Sequence, residues 1–128
     1  MPLKVSSKQN RPGVFTISPI GSIDARSHTI LDEKVESVLI EKPDVIIFDM
    51  EFLDYINSMG VRVLLKTKKE MKKTAGKVAF MNLQPQIKKV FEIINALPSM
   101  RVFKDLSEMD AYLDRMQRKV TGASEDDL

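Results

Sequence analysis

The 128-residue chain contains no cysteine and only one histidine, His28. The absence of cysteine excludes disulfides, thiolate metal sites and cysteine nucleophiles. A single histidine excludes a metal centre built from several imidazoles. No apolar run approaches the ~20 residues that a membrane span requires, and no signal-peptide pattern opens the chain. We therefore expect a cytoplasmic protein that needs neither a metal nor a cofactor and has no membrane partner.

The chain also has little net charge. Twenty basic and eighteen acidic residues leave a formal net charge of +2, which is too small to indicate direct binding of nucleic acid. The chain is 43% hydrophobic and 30% charged, a composition typical of a globular domain. We expect one domain over residues 1–119 and a disordered acidic tail over residues 120–128.

Hydrophobic periodicity predicts the fold class. Alternating residues on both sides of a turn at 10–13 predict an N-terminal β-hairpin. The apolar runs 45–48 and 77–81 predict further strands, and a helix is predicted over 59–74 between them. With a short edge strand at 101–103, the order is β-β-α-β-α-β-α-(β)-α. This order predicts a single α/β domain with a mixed sheet of four to five strands and about four helices.

Two predicted helices carry recognisable start signals. Asp24 or Ser27 is placed to cap the first helix, after the segment Gly21-Ser22-Ile23-Asp24 closes the second strand. Ser107, with Asp110 three residues later, resembles a capping box at the start of the last helix.

The segment 49–60 is the most informative stretch, because it joins the buried strand to the second helix. Ser58 falls at the start of that helix, where unpaired amides and the helix dipole favour an anion. No acid stands in the first turn, Val61 rather than Glu or Gln takes the third helical position, and Gly60 allows another molecule to approach the backbone. A phosphate on Ser58 would suit this position, provided that the hydroxyl faces solvent. The alternative is that Asn57 and Ser58 are ordinary helix caps.

Two motifs in this chain resemble a known family. The segment Leu53-Asp54-Tyr55-Ile56-Asn57-Ser58-Met59-Gly60-Val61 is similar to the "D-S-[ST]-G-[LV]" turn of STAS-domain anti-sigma factor antagonists. Gly21-Ser22-Ile23-Asp24 resembles the "G-x-[LI]-D" segment of the same family. The spacing of the two segments agrees, and the resemblance covers about residues 1–117. It implies a STAS-like fold.

The resemblance also implies a function without catalysis. An antagonist of this family binds an anti-sigma factor that is itself a serine kinase, and thereby frees a sigma factor for transcription. The kinase phosphorylates the serine that corresponds to Ser58 with ATP, and a serine phosphatase reverses this. Carried over, Ser58 would be the phosphate acceptor, and the partner-binding residues would be Asp24, Asn57, Ser58, Met59, Gly60, Val61 and Arg62.

Two departures from the family pattern keep other functions open. Asn57 stands where the family has an acid, and Met59 replaces a small hydroxyl residue. They motivate an alternative, a STAS interaction or scaffold module that is not phosphorylated. A third hypothesis is a small hydrolase, in which Ser58 would need His28 as its base. Whether the protein forms a weak homodimer is not settled by the sequence.

Overall fold

The computed structural model describes residues 2–96 and 106–121. In this part of the chain, five strands and four helices form a mixed α/β domain, as predicted. The elements are β1 (Lys4–Arg11), β2 (Val14–Ile23), α1 (His28–Leu39), β3 (Val45–Asp49), β4 (Leu53–Ile56), α2 (Ser58–Lys72), β5 (Lys77–Met81), α3 (Pro85–Ala96) and α4 (Leu106–Thr121).

The sheet is built around β2. The predicted hairpin pairs β1 with β2 in antiparallel register, and Gly13 at its turn has a φ of 77°, a left-handed conformation that glycine adopts at little cost. The first half of β2 pairs with β3 in parallel, and β5 continues the sheet beyond β3. The second half of β2 pairs with β4, also in parallel. Because β2 is long enough to pair with both strands, its carboxyl end lies beside the carboxyl end of β4.

Strand β4 was not predicted. The segment 49–60 was interpreted as a connection, but residues 53–56 form a strand beside β2, and a register shift between Gly21 and Ser22 interrupts this pairing. The outer edge of β4 is closed by amide side chains instead of another strand. Gln117 of α4 donates to the carbonyl of Ile56 at 2.7 Å and accepts from its N–H at 2.9 Å. Gln86 of α3 donates to the carbonyl of Asp54 at 2.9 Å. These bonds satisfy backbone groups that would otherwise be unpaired.

One hydrophobic core joins the sheet to the helices. The central strand β3 contributes Ile46 and Phe48, and the ring of Phe48 stacks on that of Phe80 with centroids 5.4 Å apart. Helix α4 contributes Met109 and Leu113, which are both buried. Burial of such side chains is the main favourable contribution to folding, about 25 cal/mol per Å² of apolar surface. Helix α4 is therefore anchored to the body of the domain by apolar contacts as well as by Gln117.

One predicted feature at the end of an element differs from the structure, and two others are not tested. Ser107 does not precede the last helix, because α4 already includes it, so the capping-box prediction is wrong. The carboxylate of Asp110 instead accepts a hydrogen bond from the backbone of Ser58. The edge strand expected at 101–103 and most of the expected tail at 120–128 lie outside the described residues.

Candidate functional site

The structure brings the two motifs together at the carboxyl ends of β2 and β4. Ile23 and Ile56 are register partners, and the N–H of Asn57 donates to the carbonyl of Ile23 at 2.9 Å. The chain leaves both strands just beyond this pair, towards α1 and α2. Asp24 and Ser58 therefore lie at the same edge of the sheet, where sites of open α/β domains collect.

Asn57 is the N-cap of α2. Its backbone is extended, with φ −98° and ψ −177°, and its side-chain oxygen accepts a hydrogen bond from the N–H of Gly60 at 3.0 Å. The helix thus begins at Ser58, one residue earlier than predicted. The third helical position is Gly60, and the prediction of Val61 there is wrong. The first turn contains no acid, as expected, so no carboxylate of α2 itself complements the positive end of the dipole.

Ser58 occupies the predicted place in the chain, but its hydroxyl does not face solvent. The residue is 0% exposed, and the expectation of an accessible hydroxyl is wrong for this conformation. Its N–H donates to a carboxylate oxygen of Asp110 at 2.7 Å. Among the described residues, its Oγ has no hydrogen-bond partner. A buried polar group without a partner costs about 1–3 kcal/mol, so stability alone does not explain a hydroxyl at this position.

Helix α4 covers this end of α2. Besides Asp110 and Gln117, Asp114 contacts the segment, since the hydroxyl of Tyr55 donates to its carboxylate at 3.1 Å. Partial burial, followed by the negative charge and the hydrogen bond of Asp114, raises the pKa of Tyr55 to about 12. Tyr55 therefore stays neutral and acts as a donor over the whole physiological range.

Gly60 serves the packing of the chain itself. A Cβ at this position would lie 2.6 Å from Cγ2 of Ile23 and 2.7 Å from Cγ1 of Ile56. The missing side chain lets α2 sit directly on the ends of β2 and β4. The expectation that Gly60 admits an external molecule is therefore wrong here, because the space beside it is already filled.

Asp24 is held in a tight local turn. Its carboxylate accepts hydrogen bonds from the N–H groups of Arg26 and Ser27, at 2.9 and 3.1 Å, and another from the Ser27 hydroxyl. Desolvation would raise the pKa of Asp24, but these hydrogen bonds outweigh it and hold the pKa below its ordinary value. Asp24 is thus an ionised, partly exposed carboxylate at the candidate site.

The other predicted partner-binding residues differ in exposure. Arg62 is exposed and Met59 is partly exposed, whereas Val61 and Asn57 are buried. Phe52 is 58% exposed although it is a large apolar residue, but it precedes the other end of β4 and does not belong to this site. The accessible part of the site is consequently apolar and mixed in charge.

The described residues offer little for the enzyme hypotheses. A nucleophilic serine needs a base within hydrogen-bond reach, yet none of the described residues bonds to the Oγ of Ser58. No group of three His, Cys, Asp or Glu residues in the described ranges is arranged to hold a metal ion. A cavity of about 720 Å³ does occur, but it lies between the C-terminal parts of α1 and α2, at the opposite end of α2 from Ser58. Over those same ranges, the helices are too short or too polar to span a bilayer.

Sequence reasoning missed Asp110, Asp114 and Gln117. The spacing of Ser107 and Asp110 was noticed, but it was interpreted as a local cap. Asp110 and Ser58 are 52 positions apart, and no periodicity or motif indicates a pairing over that distance. A buried glutamine in a helix is a signal in retrospect, because such an amide needs partners.

Sequence comparison finds a relative that covers part of the chain. Over 65 residues, the chain is 34% identical to a Bordetella bronchiseptica protein named "Putative anti-sigma factor antagonist BtrV". The matched segment is 48% of this chain and 56% of that protein. The chain therefore matches only about half the length of this curated relative.

Structural comparison and a family model cover more of the chain. The fold is similar to that of phosphorylated SpoIIAA, described as a Bacillus cell fate determinant, with a TM-score of 0.62 and 22% identity over 74% of this chain and 86% of that one. It is also similar to an anti-sigma factor antagonist from Mycobacterium paratuberculosis, with a TM-score of 0.61 and 18% identity over 90% of this chain and 94% of the other. The family model of the STAS domain matches residues 6–109. This chain therefore belongs to the STAS domain family, as its two motifs had indicated.

Proposed function

We propose that this protein is an anti-sigma factor antagonist that acts in the cytoplasm by binding, not by catalysis. Its partner would be an anti-sigma factor with serine kinase activity, and the complex would leave a sigma factor free for transcription. The observation that carries the proposal is the position of Ser58, the first residue of a helix whose first turn contains no acid. The 34% identity to a protein named as an antagonist supports the same function.

The partner would dock at the carboxyl ends of β2 and β4. The accessible groups there are the carboxylate of Asp24, the guanidinium of Arg62 and the thioether of Met59. This mixture of charged and apolar groups suits a protein partner, because methionine and arginine are enriched in interfaces. Buried Val61 and Gly60 would support this surface from beneath.

Phosphorylation of Ser58 would end the complex. The Oγ would take the terminal phosphoryl group of ATP, ADP would leave, and the hydroxyl proton would pass to a base of the kinase. The modification would add about −1.5 to −2 charges next to the ionised Asp24. A partner packed over this edge would have to desolvate that phosphate, and each ~1.4 kcal/mol of penalty weakens binding tenfold. A serine phosphatase would restore binding.

The first experiment compares partner capture by the wild type, Ser58→Ala and Ser58→Asp from extracts of the source cells. Ser37→Asp adds the same charge to an exposed serine of α1 and serves as the matched control. We expect the wild type, Ser58→Ala and Ser37→Asp to capture the same kinase, and Ser58→Asp to lose at least tenfold of it. Equal capture by all four proteins would contradict the charge switch.

The burial of Ser58 favours a second candidate function, a STAS interaction module that is never phosphorylated. Mass measurement of the intact protein purified from its native cells separates the two candidates. A species heavier by one phosphoryl group, mapped to Ser58, supports the antagonist switch. A single unmodified species under all growth conditions supports the unmodified module.

A further inference from the structure

One face of α4 holds the segment that contains Ser58. This face carries Asp110 and, four and seven residues after it, Asp114 and Gln117. Residues at this spacing lie on a single face of a helix. All three form hydrogen bonds to the segment 55–58, and Asp110 binds the backbone of Ser58 itself. These contacts are polar and depend on specific partners.

Asp110 supplies the anion that α2 lacks. The N-terminus of α2 has no acid of its own, and the carboxylate of Asp110 lies 2.7 Å from the first helical N–H. A phosphate on Ser58 would seek the same backbone donors. It would also meet the negative charge of Asp110 at close range, in a place from which water is largely excluded. The carboxylate and the phosphate therefore compete for one position.

We propose that α4 is a built-in latch over Ser58: Asp110 occupies the position that a phosphate on Ser58 would need, so docking of α4 and phosphorylation of Ser58 exclude each other. Phosphorylation of Ser58 rests on the proposed function, whereas the covering of Ser58 by α4 does not. In the docked state the hydroxyl is inaccessible to a kinase. Once the phosphoryl group has been transferred from ATP to Oγ, with release of ADP and the hydroxyl proton, α4 cannot return to its place.

The latch also sets how fast Ser58 can react. Met109 and Leu113 bury their side chains in the core, so the docked state is the major one. A reagent that needs an accessible Ser58 reacts only with the fraction of molecules whose α4 has moved, so its apparent rate equals the rate at a fully exposed site multiplied by that fraction. A partner that displaces α4 would therefore expose Ser58 and accelerate its modification.

The absence of cysteine allows a direct test without the kinase. In a Ser58→Cys variant, the single thiol reports access to this position through its rate of reaction with Ellman's reagent. Ser37→Cys supplies the rate of an exposed thiol. We expect Ser58→Cys to react at least roughly a hundredfold more slowly than Ser37→Cys. Adding Asp110→Ala or Gln117→Ala should accelerate the reaction roughly tenfold, because each removes a contact to the segment.

Arg115→Ala is the matched control on α4, because Arg115 is exposed on the same helix. It should leave the rate unchanged. The latch is wrong if Ser58→Cys reacts as fast as Ser37→Cys, or if the two α4 substitutions have no more effect than Arg115→Ala. Amide hydrogen exchange in the chain with its native serine guards against an effect of the thiol itself. Asp110→Ala and Gln117→Ala should release the N–H groups of Ser58 and Ile56, respectively, while the Phe48 amide stays protected.

The outcomes separate the latch from the proposed function. A latch that opens in the thiol assay, together with a Ser58 that is never phosphorylated in cells, refutes only the kinase switch. A phosphorylated Ser58 with a thiol that is freely accessible in every variant refutes only the latch. If α4 covers Ser58 and Ser58 is also phosphorylated in cells, Ser58→Glu should mimic the charge that competes with Asp110. This variant should increase amide hydrogen exchange across 106–121 roughly tenfold.

Discussion

Helices α1 and α2 start at the same edge of the sheet, but the hydrogen bonds that hold the chain at each start differ in range. Before α1, the carboxylate of Asp24 binds the N–H groups of Arg26 and Ser27 in the turn that leads into the helix. Ser27 is the N-cap of α1, but no side chain makes a cap hydrogen bond there, so the prediction of a side-chain cap by Asp24 or Ser27 is wrong. At α2, the carboxylate comes from Asp110, 52 residues away from Ser58. At the start of α1, the hydroxyl of Ser27 donates a hydrogen bond to the carbonyl of Ser22.

This difference separates a structural helix start from an exchangeable one. Hydrogen bonds between neighbours in sequence form with the turn itself and persist as long as the turn does. A carboxylate delivered by a distant helix leaves when that helix leaves, and another anion can then take its place. Ser27 has its hydrogen bonds within its own loop, whereas the hydroxyl of Ser58 has none among the described residues. The second start is therefore the one suited to regulation.

The largest difference in stability between the two helix starts is expected at their third helical positions. Gly60→Ala puts a methyl group within 2.7 Å of Ile23 and Ile56 and should destabilise the domain by about 1–3 kcal/mol through overpacking, less up to ~1 kcal/mol from better helix propensity. Ile30 holds the same position in α1 and is 42% exposed, so Ile30→Ala should change stability by less than about 0.5 kcal/mol. Urea unfolding of both variants measures the difference. Equal losses would show that α2 does not depend on the close approach at Gly60.

A smaller effect, with opposite signs, is expected for the two serines. Ser27→Ala removes the hydrogen bonds to Ser22 and Asp24 and should cost about 1–2 kcal/mol. Ser58→Ala removes a buried hydroxyl without a partner, so the free energy of unfolding should stay constant or rise by up to ~1 kcal/mol. Thermal or urea unfolding of the two variants is the measurement. A clear loss of stability in Ser58→Ala would mean that its hydroxyl has a structural partner.

The smallest effect appears only at alkaline pH. The pKa of Tyr55 is about 12, raised from an ordinary value of 10.0. The neutral phenol is the form favoured by folding, so its contribution to stability is complete below pH 10.0 and is lost as the pH rises to about 12. The α1 start depends on a carboxylate that is already ionised there. The difference in tyrosinate absorbance between the wild type and Tyr55→Phe follows this one residue.

Asp114→Asn provides the control for that titration. It removes the negative charge that disfavours tyrosinate and should move the midpoint of Tyr55 down towards its ordinary value. A wild-type Tyr55 that titrates like a free tyrosine would show that α4 does not hold this phenol in solution.

Local chemistry made much of the fold predictable. The hairpin followed from alternation on both sides of a turn, and α2 followed from apolar spacing together with a cap residue. Strand β4 was not predictable in this way, because it is only four residues long and its pairing with β2 is interrupted by a register shift. The long β2 accommodates two partners on one side, and only the assembled sheet shows how its length is divided between them.

The candidate site shows the same division. The sequence by itself determined that Ser58 starts a helix at the carboxyl end of a strand, since Asn57, the spacing of apolar residues and the lack of acids in the first turn are all local signals. Only the tertiary structure decided that the hydroxyl is covered and that its helix end is completed by Asp110. The physical reason is range: caps and periodicity act over one or two turns, whereas the burial of an atom depends on whichever distant element packs over it.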